Sequence, residues 1–176
     1  LNTALHILFD TSASMRLDDA ISLASKACYG VAYSLSKIQG INVGVSAFPV
    51  DNKDVKNGVL PLVKHGEPIH NHFLVEARGT TPMAEALWWV MQQMFPLQET
   101  RKIILIITDG EPDNIADTKA ALLQAHNLGM ETYGIGIKSD SITRLLPIQS
   151  RSIKSLTELA PAMFNLLQSA LKGELV

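Results

Sequence analysis

Two apolar runs stand out from an otherwise mixed pattern: Ala4-Leu5-His6-Ile7-Leu8-Phe9 near the start, and Ile103-Ile104-Leu105-Ile106-Ile107 after Lys102 past the middle. Short runs of this kind read as strands covered on both faces. Between and after them the period changes. From about Asp18 to Ile38, Ile21, Ala24, Cys28, Val31, Ala32 and Leu35 recur at helical spacing, and Gly40 supplies the stop. Ile41 to Phe48 alternates with period two and halts at Pro49, which predicts a strand with one covered face. A polar stretch, Asp51 to Gly58, leads to Val59-Leu60-Pro61-Leu62-Val63, whose proline suits an edge strand.

His65 to Arg78 carries no clean period and reads as a long connection with at most a short helix. A helix from Pro82 to about Met94 would bury Met83, Ala86, Leu87, Val90, Met91 and Met94, leaving Trp88, Trp89, Gln92 and Gln93 to divide between flank and solvent. A further helix spans about Ile115 to Leu128 and is closed by Gly129. Glu131 to Ile137 reads as a strand whose glycines imply close approach by a neighbour. A weak strand near Ser152 to Leu156 precedes a last helix through Leu171. Strands alternating with helices predict an α/β fold: a doubly wound, mostly parallel central sheet with helices on both faces.

Composition adds bounds. At 176 residues and 47% hydrophobic content the chain is long enough for one sizeable core, so residues 1–176 are expected to form a single domain. The start at Leu1, with a core strand following within a few residues, leads us to expect a domain cut from a longer polypeptide. Fifteen basic and 17 acidic residues give a net charge of −2, which offers nothing for nucleic acid or an anionic membrane surface. No apolar stretch approaches the roughly 18 residues needed to cross a bilayer. Cys28, the single cysteine, excludes an internal disulfide and reads as a small core residue in a reducing, cytoplasmic setting.

The chemistry sits at strand ends. Asp10, Ser12 and Ser14 follow the first apolar run directly, and Thr108-Asp109-Gly110 follows the later one. Parallel strands would bring Asp10 and Asp109 to one edge, the edge at which open α/β sheets hold ligands. A carboxylate with two hydroxyls is a set of hard oxygen donors suited to Mg2+, Mn2+ or Ca2+ rather than zinc. A helix cap and turn is the plainer use of Asp-x-Ser-x-Ser. Arg78-Gly79-Thr80-Thr81-Pro82 offers further hydroxyls just before a helix.

Taken together, Asp10-x-Ser12-x-Ser14, Gly79-Thr80-Thr81-Pro82 and Thr108-Asp109-Gly110 resemble the metal-ion-dependent adhesion site of von Willebrand factor A domains, over essentially the whole chain. The resemblance implies a bound divalent cation held by Asp10, Ser12, Ser14, Thr81 and Asp109, with Asp109 often acting through water. Thr81 takes the threonine role because the family's ligand lies five residues before a small helix residue, here Ala86, followed by an apolar one, here Leu87; Thr80 is the alternative. It also implies a non-catalytic module that captures an acidic residue of a partner protein. Gly79 to Leu87 and Arg101 to Pro112 resemble the intracellular prokaryotic branch, which includes chelatase subunits and nitric oxide reductase activation proteins and implies an AAA+ ATPase partner of the MoxR or chelatase type.

Other readings are weaker. A haloacid-dehalogenase-like phosphotransferase would need a second Asp two residues after Asp10, where Ser12 stands. A metal-free scaffold remains the third reading. Glu111 and Asp113 lie near the same edge, where they either tune its field or, the favoured reading, are solvated loop charges. His65, His70 and His72 form a tempting zinc cluster without a fourth ligand, and read rather as loop or partner-facing residues. His6 and His126 read as structural. Tyr133-Gly134-Ile135-Gly136-Ile137 lies within a strand and is no dinucleotide fingerprint.

Overall fold

The computed structural model describes residues 2–50, 58–70, 73, 75–77 and 79–173; most of the polar stretch before Val59, together with His72 and Arg78, lies outside the described residues. Six strands form one sheet: β1 (Thr3–Asp10), β2 (Ile41–Val50), β3 (Gly58–Val63), β4 (Arg101–Thr108), β5 (Met130–Ile137) and β6 (Ser150–Ile153). Their order across the sheet is β3-β2-β1-β4-β5-β6, with β3 antiparallel to β2 and every other pair parallel. The helices are α1 (Ala20–Ser36), α2 (Met83–Met94), α3 (Ile115–Asn127), α4 (Ser141–Leu145) and α5 (Leu159–Leu171). Strand order reverses direction at β1, so β1 and β4 lie side by side at the switch point of the winding.

Alternation along the strands separates two cores. Leu5, Ile7, Phe9, Ile103, Leu105, Ile107, Tyr133 and Ile135 pack with α1 and α5 on one face. Ala4, Leu8, Ile104 and Ile106 pack with α2 and α3 on the other. The two central runs are therefore buried on both sides, as continuous apolar strands of a parallel sheet should be.

Several boundaries differ from expectation. A 3-10 segment, Ala13–Asp19, precedes α1, so the α-helix begins at Ala20 rather than Asp18, and Ile21 is only half-buried. β2 does not stop at Pro49: it runs through a cis Phe48–Pro49 peptide to Val50 and is buried from Val43 to Pro49 on both faces. Its alternation arises because Gly44 and Ser46 occupy the second face opposite polar partners instead of apolar ones. No helix interrupts the described residues between β3 and α2. The last strand is Ser150–Ile153, two residues earlier than expected, and Leu156 opens a 3-10 turn with the capping box of Ser155 and Glu158. α4 has no counterpart in the sequence reading, because five residues are too few to show a period. Its Ile142 explains the glycines of β5: a Cβ on Gly134 would collide with the Ile142 side chain, and one on Gly136 with the Ser139 carbonyl. β3 is the edge strand its proline foretold.

Candidate metal centre

Asp10 is the last residue of β1, held between β2 and β4 at the carboxyl edge of the sheet, and is 0% exposed. The chain turns sharply after it. Thr11 donates through its N–H to the Phe48 carbonyl and through its hydroxyl to the Pro49 carbonyl (2.9 Å), fastening the loop to the end of β2. Ser12 N–H then reaches back to Asp10 Oδ1 (2.6 Å), and Thr108 at the end of β4 donates to Asp10 Oδ2 (2.8 Å). Both carboxylate oxygens are thus oriented, one by the loop that follows β1 and one by the end of β4.

The second carboxylate meets the serines. Ser14 Oγ donates to Asp109 Oδ1 at 2.9 Å, Ser12 Oγ approaches the same oxygen at 3.5 Å, and the two hydroxyls lie 3.1 Å apart. Asp10, Ser12, Ser14 and Asp109 therefore share one hydrogen-bonded cluster although 95 residues separate Ser14 from Asp109. Burial pushes the Asp10 carboxyl up to about 6, the nearby Asp109 charge adds to the rise, and the hydrogen bonds from Ser12 and Thr108 oppose it. Two carboxylates and two hydroxyls, with no nitrogen or sulfur among them, fit a hard divalent cation, and the strain of placing an ionised Asp10 beside Asp109 is what a cation would relieve.

Thr81 stands outside this cluster. It is 8% exposed, and its contacts run through its backbone: its N–H donates to Asp113 Oδ1 (2.8 Å), while its carbonyl accepts from Asp113 N–H (2.9 Å) and Met83 N–H (2.8 Å). The neighbouring Thr80 hydroxyl donates to Asp113 Oδ2 (2.7 Å). Asp113 accordingly clamps the threonine loop against the start of α3, a role the sequence reading gave to a solvated charge. The only hint was its place four residues after Asp109, behind Pro112. Arg16 Nε also ties the first loop to the Ala77 carbonyl (2.6 Å), joining the serine segment to the chain that leads to Gly79. Glu111, by contrast, is exposed and paired with Arg144 at 2.6 Å.

Of the histidine trio, His72 lies outside the described residues; His65 turns onto His6 across the sheet, His70 meets the Leu62 carbonyl, and His126 is exposed. Among the described residues no group of three or more His, Cys, Asp or Glu could hold a metal. The two-carboxylate, hydroxyl-rich rim described above is a different kind of donor set. Cys28 is buried in the core, where burial raises its thiol far above the usual range. No helix among the described residues is long and apolar enough to cross a membrane.

No curated protein matches the chain. Solved structures do. The chain superposes on proximal thread matrix protein 1 of the mussel byssus (TM-score 0.78, 17% identity, 97% of this chain and 48% of that one) and on the pilus adhesin SpaC of Lactobacillus rhamnosus GG (0.80, 14%, 97% and 31%). It also superposes on the manganese-loaded TRAP protein of Plasmodium vivax (0.73, 16%, 94% and 73%). The byssus protein is further known with a zinc-occupied adhesion motif. The chain thus spans half or less of the first two relatives, and at these identities the likeness establishes the fold. The sequence profile of the von Willebrand factor type A domain matches residues 5–162, and with that match over most of its length the chain belongs to the von Willebrand factor type A domain family.

Proposed function

We propose that this domain is a non-catalytic, divalent-cation-dependent binding module whose rim captures an acidic side chain of a partner protein. The observation that carries the reading is the convergence of Asp10, Ser12, Ser14 and Asp109 at the carboxyl ends of β1 and β4. Mg2+ is the first choice of ion, with Mn2+ or Ca2+ as substitutes, and when bound it supplies an electron-poor centre that a carboxylate can complete. Asp10, oriented by Ser12 N–H and Thr108, is the anchoring ligand. Ser12 and Ser14 contribute neutral oxygens, so the site retains appetite for an external anion. Asp109 holds the serine hydroxyls in place. Thr81 is the fifth ligand: the Thr80 hydroxyl is already engaged by Asp113, which favours Thr81 of the two. Asp113 positions the loop that carries it.

Among the described residues, the hydrogen-bond partners of Asp10, Ser12, Ser14 and Asp109 in this cluster are one another, Thr108 and backbone, with no histidine or lysine to move a proton, which supports binding rather than turnover. Ser12 stands where a phosphotransferase of the haloacid-dehalogenase kind would carry its acid/base aspartate. The finer reading is a cytoplasmic module that works with a MoxR- or chelatase-type AAA+ ATPase in metal insertion or complex maturation, gripping an acidic residue of the ATPase or its client. It rests on the Gly79 to Leu87 and Arg101 to Pro112 segments, and the lone buried Cys28 suits a reducing compartment.

Calorimetric titration of Mg2+ and Mn2+ into the chelator-treated domain tests the reading, with Asp10→Ala and Asp109→Ala in parallel. Saturable binding that both substitutions abolish is the expected result. Equal binding by wild type and Asp10→Ala would refute the assignment. Retention of a purified MoxR-type ATPase in Mg2+ but not in chelator tests the partner.

A further inference from the structure

On the α2 face of the sheet, well inside β1, a second polar cluster lies apart from the rim. His6 Nε2 is 2.9 Å from Ser46 Oγ, His6 Nδ1 is 2.9 Å from His65 Nε2, and His65 Nδ1 is 3.2 Å from the Asn42 carbonyl. The carbonyl can only accept, so His65 Nδ1 carries the proton and its Nε2 is bare. His6 Nδ1–H then donates to it, and the Ser46 hydroxyl donates to His6 Nε2. Burial holds His6 well below the usual histidine range and lowers His65 as well, so both rings are neutral ligands near pH 7.

We infer that His6 and His65 form a binding site for a borderline transition-metal ion, Zn2+ or Cu2+ in class, distinct from the hard-ion rim. Three features of the surroundings support it. First, Gly44 lets both rings converge against the backbone of β2: a Cβ there would lie only 2.5 Å from His65 Nε2 and 2.9 Å from His6 Nδ1, so the absence of a side chain is what permits the two nitrogens to meet at this place. Second, the pair borders a cavity of about 170 Å³ lined also by Ser46, Lys64, Trp89 and Gln93, which leaves room for water to complete the coordination. Third, the outer nitrogens already face the partners that metal-bound imidazoles use, a backbone carbonyl and a hydroxyl.

The geometric change is small. Tetrahedral zinc with Zn–N near 2.05 Å sets two nitrogens about 3.3 Å apart, about 0.4 Å more than here. His65 keeps its Nδ1 proton on Asn42, while the His6 proton moves from Nδ1 to Nε2 and is donated to Ser46, so no proton need leave. Two charged groups bear on the site: Lys64, exposed at the cavity, can hold its amine in water, and Glu99, bonded to the Asn42 side chain at 2.8 Å, favours positive charge on His65. Among the described residues no third strong ligand is present, which makes the site exchangeable rather than structural.

The test is imidazole nitrogen NMR of the wild-type domain titrated with Zn2+ in a non-chelating buffer. The expected result is saturable movement of His6 Nδ1 and His65 Nε2 at one ion per chain, with the His6 proton appearing on Nε2. The response should persist in Asp10→Ala and vanish in His65→Gln. Absence of any change at these two nitrogens in the folded wild type, or shifts confined to the other histidines, overturns the inference without touching the rim site.

Discussion

In chelator, Asp10→Asn is expected to make the domain more stable, at the cost of ion binding. The buried Asp10 carboxyl is raised from an ordinary 3.8 to about 6. A shift of about two pH units corresponds to about 3 kcal/mol of penalty for ionising it in the fold at neutral pH. Asparagine removes that charge at nearly constant volume. Its oxygen can still accept from Ser12 N–H, while its amide can donate to Thr108 Oγ1, whose own proton can turn toward the Gly110 carbonyl. Allowing for imperfect exchange of those bonds, the gain near pH 7 should be about 1–3 kcal/mol. The pH dependence has a definite sign. A carboxyl raised in the native state binds its proton more tightly there than when unfolded, so wild type loses stability through this group as pH rises from about 4 to 6. The advantage of the variant should therefore be full near pH 7 and fade toward pH 4. Urea unfolding of both proteins in chelator across this range measures the difference directly and cancels the titrating groups that do not interact with Asp10, leaving Asp109 as the one that does. Adding Mg2+ should reverse the ranking, since an ion at about 1,000 times its Kd contributes about 4.1 kcal/mol to the protein that binds it. A variant less stable than wild type in chelator at pH 7, or a difference independent of pH, would refute the account.

Other substitutions probe the supports. Asp113→Ala releases Thr80 and the Thr81 backbone, and should weaken Mg2+ affinity about tenfold by calorimetry while changing unfolding midpoints little. Gly44→Ala forces a Cβ to within 2.5 Å of His65 and should destabilise by about 1–3 kcal/mol in urea, most of it recovered when His65 is also cut to alanine. Arg101 bonds Glu131 (2.7 Å from Nη2 to Oε1) and caps the Ala170 and Leu171 carbonyls at the end of α5. Arg101→Met should cost about 1–3 kcal/mol, and hydrogen exchange should quicken in the last turn of α5 before anywhere else.

What the sequence disclosed follows from the range of each interaction. β1 and β4 were legible because full burial demands unbroken apolar runs, and the rim cluster because its donors follow those runs directly. β2 misled because one of its faces holds Gly44 and Ser46 against imidazoles, so alternation imitated a half-exposed strand. Asp113 acts on a loop 32 residues earlier, and His65 on a ring 59 residues away. Neither leaves a local pattern. Thr81 was chosen over Thr80 by resemblance, and the engagement of Thr80 with Asp113 adds a physical reason.

The adjacency of β1 and β4 carries a consequence for the order of events during synthesis. Asp10 and the Thr108 hydroxyl that orients it are separated by 98 residues, and no earlier strand can substitute, because β2 fills the other side of β1. At about 5–20 residues per second, a ribosome needs about 5–20 s to make that interval. Through it the nascent chain carries Asp10, Ser12 and Ser14 of the proposed ion site without Asp109, its second carboxylate. Under the proposed function, ion uptake would therefore wait until β4 has docked beside β1, and a loaded rim would report that pairing rather than the later docking of β5, β6 and α5.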